Sequence, residues 1–490
     1  MNDLPNIPAG DPRSTADAAD TPFAQRLAAM QESTGLNAAQ LGVTRVYATP
    51  RQADDGADSG VQATSGHLAG EEVLIKDLQQ VAGEHVTMGS IHQGFIAQHS
   101  DTAAQRLLTA GAHLVGASST AEYGTVAYTE PIGLDAPVNP INPAMMTGGS
   151  SGGAATAVAR GLVRIAHATD GGGSIRVPAA ACGLIGLKPV HDSTVGGFTP
   201  VAHGFLADSF VHTRRAYQLP VATPKNLRIG YTNTPFHQAP GAGDSAGLPA
   251  VDPTVAAATA AVTGLLTTTG AVSEVVAAPR PYDPSGFQLF AEVIASRCAD
   301  LPGRLSPMTA WLREQGRVVP GWRREKMETG IHGLRDQAWQ RWDATGLDIV
   351  ATPMLAFAPP PPGTFSQLAP RLNFWGQTAW TPWATLWNLS GWASVTVPLV
   401  DPARVPGRWP IALQLGAVGQ RVSEAELLTV AEHVQQVAQL LNPLDLSIAE
   451  PGQLTGRVYQ PMPRAGHDHE HGEAHANDPA HSRDEAHAHD

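Results

Sequence analysis

Cysteine is almost missing from this chain: only Cys182 and Cys298 occur in 490 residues. Two thiols make no disulfide framework, and no Cys-x-x-Cys pair is present to hold a structural zinc. Basic residues are also scarce, 31 Lys and Arg against 44 Asp and Glu, for a formal charge of −13. Nucleic acids and anionic membranes need clustered Lys and Arg, so neither is expected as a partner. Much of the acidity is local. Residues 467–490 hold seven acids and one Arg, which supplies −6 of the total and leaves the body mildly acidic. Strongly apolar runs are lacking too. The stretch Thr254–Ser273 is uncharged and long enough to span a bilayer, but its Ala, Thr and Gly are weakly apolar. Asp252-Pro253 in front of it reads as an N-cap followed by Pro at the first helical position, which predicts an ordinary helix. The N-terminus shows no basic stretch leading into an apolar one, so no secretory signal is visible and a cytoplasmic location is expected.

What is present is glycine, 50 residues, proline, 40, and a hydrophobic content of 42%, enough for a large core crossed by many loops. Residues 1–22 have the composition of a disordered segment. Residues 23–462 read as one large domain, and residues 463–490 as a disordered tail rich in His and acids. Within the domain, strand-like and helix-like segments alternate, which predicts an α/β fold. Val73-Leu74-Ile75 is a short apolar run that ends in Lys76-Asp77, as a buried strand feeding a functional loop does. Met327, Ile331, Leu334, Ala338 and Trp342 fall on one face of a helix predicted over Trp322–Trp342. Ser423 and Glu426 form a capping box for the last long helix.

The densest segment runs from Thr147 to Pro189. It carries glycines at 148, 149, 152 and 153 and again at 171, 172 and 173. Each glycine loses much conformational freedom on folding, so such clustering needs a reason. Tight turns are one. Exposed backbone N–H groups gathered around a developing negative charge are another, and Gly171-Gly172-Gly173 directly before Ser174 fits that description of an oxyanion hole beside a hydroxyl nucleophile. A phosphate loop is excluded, because the GxxxxGK[ST] pattern is absent. Gly148-Gly149-Ser150-Ser151-Gly152 meets the short G-x-S-x-G pattern, but loop material precedes it where a nucleophile elbow follows a strand.

GGSSGG followed by TDGGGSIRVPAAACGLIGLKP resembles the amidase signature family almost without gaps. Upstream, Leu68-Ala69-Gly70 and Val73-Leu74-Ile75-Lys76-Asp77 are similar to the family's lysine segment, and Glu122 also matches. Late stretches match more loosely: Asp348–Pro353, Asn388–Pro398 and Pro410–Gly416. The resemblance implies a central mixed, twisted β-sheet covered by helices, and it implies roles. Ser174 falls on the nucleophile, Ser150 on the bridging serine held by a cis peptide after Gly149, and Lys76 on the base. The activity implied is hydrolysis of a carboxamide C–N bond through an acyl-enzyme, with no cofactor and with a small-molecule amide as substrate. The amides of Gly171, Gly172 and Gly173, together with Ser174, are the expected oxyanion donors. Ser151, Asp170 and Arg176 support the loops.

The match weakens after Pro189, where residues 190–226 replace the family's usual turn and helix. The nearest alternative within the family is a tRNA-dependent amidotransferase of the A type; an alternative of another class is a metal-binding protein on an inactive amidase scaffold. The second rests on the tail, where His467, His469 and His471 form a candidate site for a divalent metal. Trp375, Trp380, Trp383, Trp387 and Trp392 crowd one segment. They are expected in the core or at a contact between two copies of the chain, which makes a homodimer a candidate assembly, or, for one or two with Met145 or Met146, in an apolar pocket. Cys182 is expected in the core.

Overall fold

The structure is a computed structural model in which residues 22–52, 66–193, 199–237, 251–283 and 286–454 are described. The expected N-terminal disorder, Pro22 aside, and the His-rich tail with His467, His469 and His471 lie outside these residues.

Fifteen strands occur along the described chain: β1 (Val43–Arg51), β2 (Glu72–Lys76), β3 (His85–Val86), β4 (Phe95–Ile96), β5 (His113–Ser118), β6 (Ile165–Asp170), β7 (Ile185–Lys188), β8 (Ala202–Ala207), β9 (Leu227–Tyr231), β10 (Val272–Ala277), β11 (Ile349–Pro353), β12 (Ser394–Pro398), β13 (Trp409–Pro410), β14 (Ala412–Ala417) and β15 (Ser447–Ile448). Eleven of them form one sheet in the order β1-β5-β2-β6-β8-β7-β12-β14-β11-β9-β10. β5, β2 and β6 run parallel, as do β11, β9 and β10, and the strands between these groups are antiparallel to their neighbours. The sheet is therefore mixed, as expected, with helices packed on it.

Strand alternation assigns the side chains to layers. Val73 and Ile75 of β2 join Leu107, Leu114 and Ile165 in one apolar cluster, while Leu74 joins Ala154, Val158, Ala166 and Ile175 in another. Along the later strands a third and larger cluster gathers Trp342, Trp380, Trp383, Trp387 and Trp392 against β11, β12 and β14. The crowded tryptophans are thus mostly core: Trp380, Trp383 and Trp387 are fully buried.

Local sequence rules set several boundaries. Asp252 caps the helix Pro253–Leu265 through its own side chain, with Pro at the first turn, as read from the sequence. No helix among the described residues is long and apolar enough to cross a membrane. Ser423 and Glu426 do form the reciprocal capping box of the helix Glu424–Ala438. The face drawn through Met327, Ile331, Leu334, Ala338 and Trp342 is the buried face of the helix Met327–Asp343, although the preceding turn, Gly321–Glu325, is a separate short helix. The region after Pro189 holds β8 and an eight-residue helix, Phe210–Tyr217, capped by Ser209.

Candidate active site

β2 and β6 diverge after a short ladder, Val73 with Ile165 and Leu74 with Ala166, and the site is built in the gap that opens beyond it. Lys76, the last residue of β2, is fully buried. Its Nζ lies 2.7 Å from Ser150 Oγ and 2.9 Å from Thr169 Oγ1. Burial lowers its pKa to about 7, against the opposing pull of the Asp170 carboxylate. A lysine titrating there is neutral in a large fraction of molecules at physiological pH, and a neutral amine can take a proton.

Ser150 is held by the loop that enters the helix Gly152–Ala159. The Gly149–Ser150 peptide is cis. Thr129 fastens this loop: its Oγ1 donates to the Gly148 carbonyl and accepts from Gly152 N, both at 2.9 Å. Gly149 is required by space, since a Cβ there would sit 2.4 Å from the carbonyl carbon of Tyr128. Ser151 Oγ donates to the Thr169 carbonyl at 3.4 Å, which ties the first glycine loop to the end of β6.

The second glycine loop follows β6. Asp170 anchors it: Oδ1 accepts from Gly173 N at 2.8 Å, and Oδ2 from Ile175 N at 3.1 Å. Gly173 adopts φ +120°, a conformation closed to other residues without strain. Its N–H is aimed at Asp170 and not at the cavity, so Gly173 leaves the set of expected oxyanion donors. The amides of Gly171, Gly172 and Ser174 have no acceptor among the described residues, and these three residues line the cavity. Ser174 Oγ likewise makes no hydrogen bond among the described residues, to Ser150 or to any other group; Ser150 and Ser174 face the same cavity.

Arg176 and Asp170 are both fully buried and pair through two hydrogen bonds of 2.9 Å. The remaining guanidinium protons reach the Ala384 carbonyl (2.8 Å), Gln414 Oε1 (2.7 Å) and Asn388 Oδ1 (2.8 Å). Asn388 Nδ2 returns to Asp170 Oδ1 at 2.9 Å and to its carbonyl at 2.7 Å. Burial by itself would raise the Asp170 pKa. The Arg176 charge and hydrogen bonds, Asn388 and the more distant Lys188 outweigh it, and hold the carboxyl well below its usual range. This satisfied buried pair braces the second glycine loop against the late segments that carry Ala384, Asn388 and Gln414.

The cavity over these groups measures about 610 Å³. Its apolar side comes from Phe287, Phe290, Ile294, Leu301 and Phe374. None of the clustered tryptophans lines it, nor do Met145 and Met146, which are buried elsewhere in the core. Cys182 is also packed in the core, and burial pushes its thiol pKa far up. Sequence reasoning missed Thr169, the phenylalanine wall, and the roles of Asn388 and Gln414. The last two stand inside the late stretches that matched the family, and that was their only signal. No cluster of His, Cys, Asp or Glu suited to a metal ion occurs among the described residues.

Comparison with known proteins agrees with this architecture. The amidase family model matches residues 21–197, over the segment that carries Lys76, Ser150 and Ser174. Over that segment the chain carries the sequence pattern of the amidase family. It is 42% identical over 134 residues to a 6-aminohexanoate-cyclic-dimer hydrolase from a Pseudomonas species, covering 26% of this chain and 27% of that protein. It is 43% identical over 125 residues to a putative amidase from Mycobacterium tuberculosis, covering 26% of this chain and 27% of that protein. The chain's alignments thus span less than a third of either relative. The fold likeness reaches further: a solved 6-aminohexanoate cyclic dimer hydrolase superposes with a TM-score of 0.69 over 89% of this chain and 97% of that one, at 23% identity.

Proposed function

We propose that this chain is an amidase that hydrolyses a carboxamide C–N bond through an acyl-enzyme on Ser174, releasing a carboxylate and ammonia or an amine. The observation that carries the reading is the buried Lys76 Nζ–Ser150 Oγ hydrogen bond of 2.7 Å behind the cavity that Ser150 and Ser174 both line. A serine hydroxyl is a weak nucleophile until a base removes its proton. Neutral Lys76 takes the Ser150 proton while Ser150 takes that of Ser174, whose Oγ forms a bond to the amide carbon. The carbonyl electron pair moves onto oxygen, where the N–H groups of Gly171, Gly172 and Ser174 stabilise it. When the C–N bond breaks, the proton returns along the relay to the departing nitrogen, and water then hydrolyses the ester by the same steps.

The phenylalanine wall favours a substrate with a sizeable apolar group beside the scissile bond. Hydrolysis by the isolated chain, with no partner protein present, separates this reading from that of an A-type amidotransferase. The direct test is a panel of amides and esters assayed with the purified protein, alongside a fluorophosphonate probe. The expected result is turnover and a single adduct on Ser174. An adduct on another residue, with activity intact in Ser174→Ala, overturns the proposal.

A further inference from the structure

Two histidines beside the base take no part in the chemistry described so far. Lys76 N–H is a buried donor that needs an acceptor, and the β2–β6 ladder has already ended at Leu74. The imidazole of His167 takes its place: Lys76 N donates to His167 Nδ1 at 3.5 Å. His167 and Thr169, two apart on β6 and so on one face of the strand, therefore hold Lys76 at its two ends, the backbone N–H and Nζ. His203 of β8 stands opposite Thr169 in the register. Its ring stacks on that of His167 at 5.6 Å between centroids, and its Nδ1 lies 3.3 Å from His167 Nε2. His203 lines the cavity.

The donors and acceptors fix the tautomers. A neutral imidazole carries one proton. Because His167 Nδ1 accepts from Lys76, the His167 proton sits on Nε2 and is donated to His203 Nδ1, which leaves the His203 proton on Nε2. The lone pair on His203 that could accept another proton is then the one already used by His167. Protonating His203 consumes that acceptor and sets two N–H groups against each other beside the base. Resting on the reading of Lys76 as general base, we infer that His167 and His203 are a positioning pair for Lys76, which holds it while both rings are neutral and releases it when His203 takes a proton.

The surroundings are consistent with this. Burial, and then the nearby His203 and Lys76, keep His167 neutral. Burial also lowers the His203 pKa; Asp101 opposes this, while Lys76 and Arg106 assist it. Asp101 and Arg106 belong to the N-cap and body of the helix Thr102–Thr109. Asp77, next to Lys76, is turned away, accepting from Thr87 N and Thr87 Oγ1. The acid limb of activity therefore has two components: protonation of Lys76 first, then protonation of His203 at lower pH.

The experiment is the pH profile of kcat/KM for the full chain and two variants, with circular dichroism at each pH to confirm the fold. In the wild type, log kcat/KM falls with a slope of about one below the Lys76 titration and steepens to about two at lower pH. His203→Asn keeps an oxygen acceptor near the Nδ1 position but cannot gain a proton, so its slope stays near one. His203→Leu removes the acceptor, and kcat falls about tenfold with little change in KM, because a base shifted by a fraction of an ångström is poorly aligned. His203→Asn should recover most of that loss. A wild-type slope near one throughout, a slope of two that persists in His203→Asn, or equal kcat in His203→Leu and the wild type overturns the inference. Activity in Lys76→Ala would instead sink the underlying reading of the base, so the two failures are distinguishable.

Discussion

The floor and the wall of the cavity are built on opposite principles. The floor, from Ser150 and Thr169 with Lys76, Asp170 and Arg176 buried behind them, is polar, and its side chains are hydrogen-bonded to one another or to neighbouring groups. The wall, from Phe287, Phe290, Ile294, Leu301 and Phe374, is apolar and makes its contacts by shape. A hydrogen-bonded buried network tolerates little change, because any partner removed leaves a desolvated polar group behind. An apolar wall tolerates substitution in proportion to the area lost. The floor is thus suited to a fixed reaction and the wall to a variable substrate.

Four substitutions and one titration can break or sharpen that contrast. Ser174→Ala should lower kcat by about 10³-fold or more while leaving the denaturation midpoint unchanged, since its hydroxyl has no hydrogen-bond partner to lose among the described residues. A shifted midpoint would assign Ser174 a structural part. Arg176→Met should cost about 3–5 kcal/mol of stability by stranding the buried Asp170 charge. Chemical denaturation measures this, and the double variant with Asp170→Asn should recover part of the loss. Activity should rise with pH through about 7, because Lys76 is a base only when neutral and its pKa lies near there; a profile flat from pH 6 to 8 would remove Lys76 from that role. In the wall, Phe290→Ala should raise KM for a substrate with an apolar acyl group by about tenfold, as expected for one lost ring contact. The acid limb should stay in place, and its movement would mean that wall and floor are coupled. The smallest effect is expected for Ser151→Ala, within about threefold in kcat, since its hydroxyl's bond to the Thr169 carbonyl is long.

The floor was far more legible in the sequence than the wall. Lys76, Ser150 and Ser174 stand in segments where glycine spacing, a strand end and a family resemblance coincide. Asp170 and Arg176 are six residues apart across one loop, so their pairing is local. Gly173 shows the limit of that legibility. It lies in the expected donor run, but whether its N–H faces the cavity or Asp170 depends on a backbone angle that the run of three glycines leaves open. The tryptophans show another limit. Aromatic crowding near residue 380 signals burial, but not which buried surface is dry core and which borders a cavity. His167 and His203 gave no signal, since their meeting depends on the antiparallel register of β6 and β8.

The sequence by itself determined which residues the glycine loops carry, the helix caps at Asp252 and Ser423, and the alternation of strands and helices that makes an α/β fold. These follow from residue type and short spacing, which act within one loop, strand or helix. Only the tertiary structure decided that β2 and β6 part beyond Leu74, that Lys76 is buried deeply enough to titrate near neutrality, and that phenylalanines from distant helices line the cavity. Burial, strand register and convergence of remote segments are properties of the packed chain.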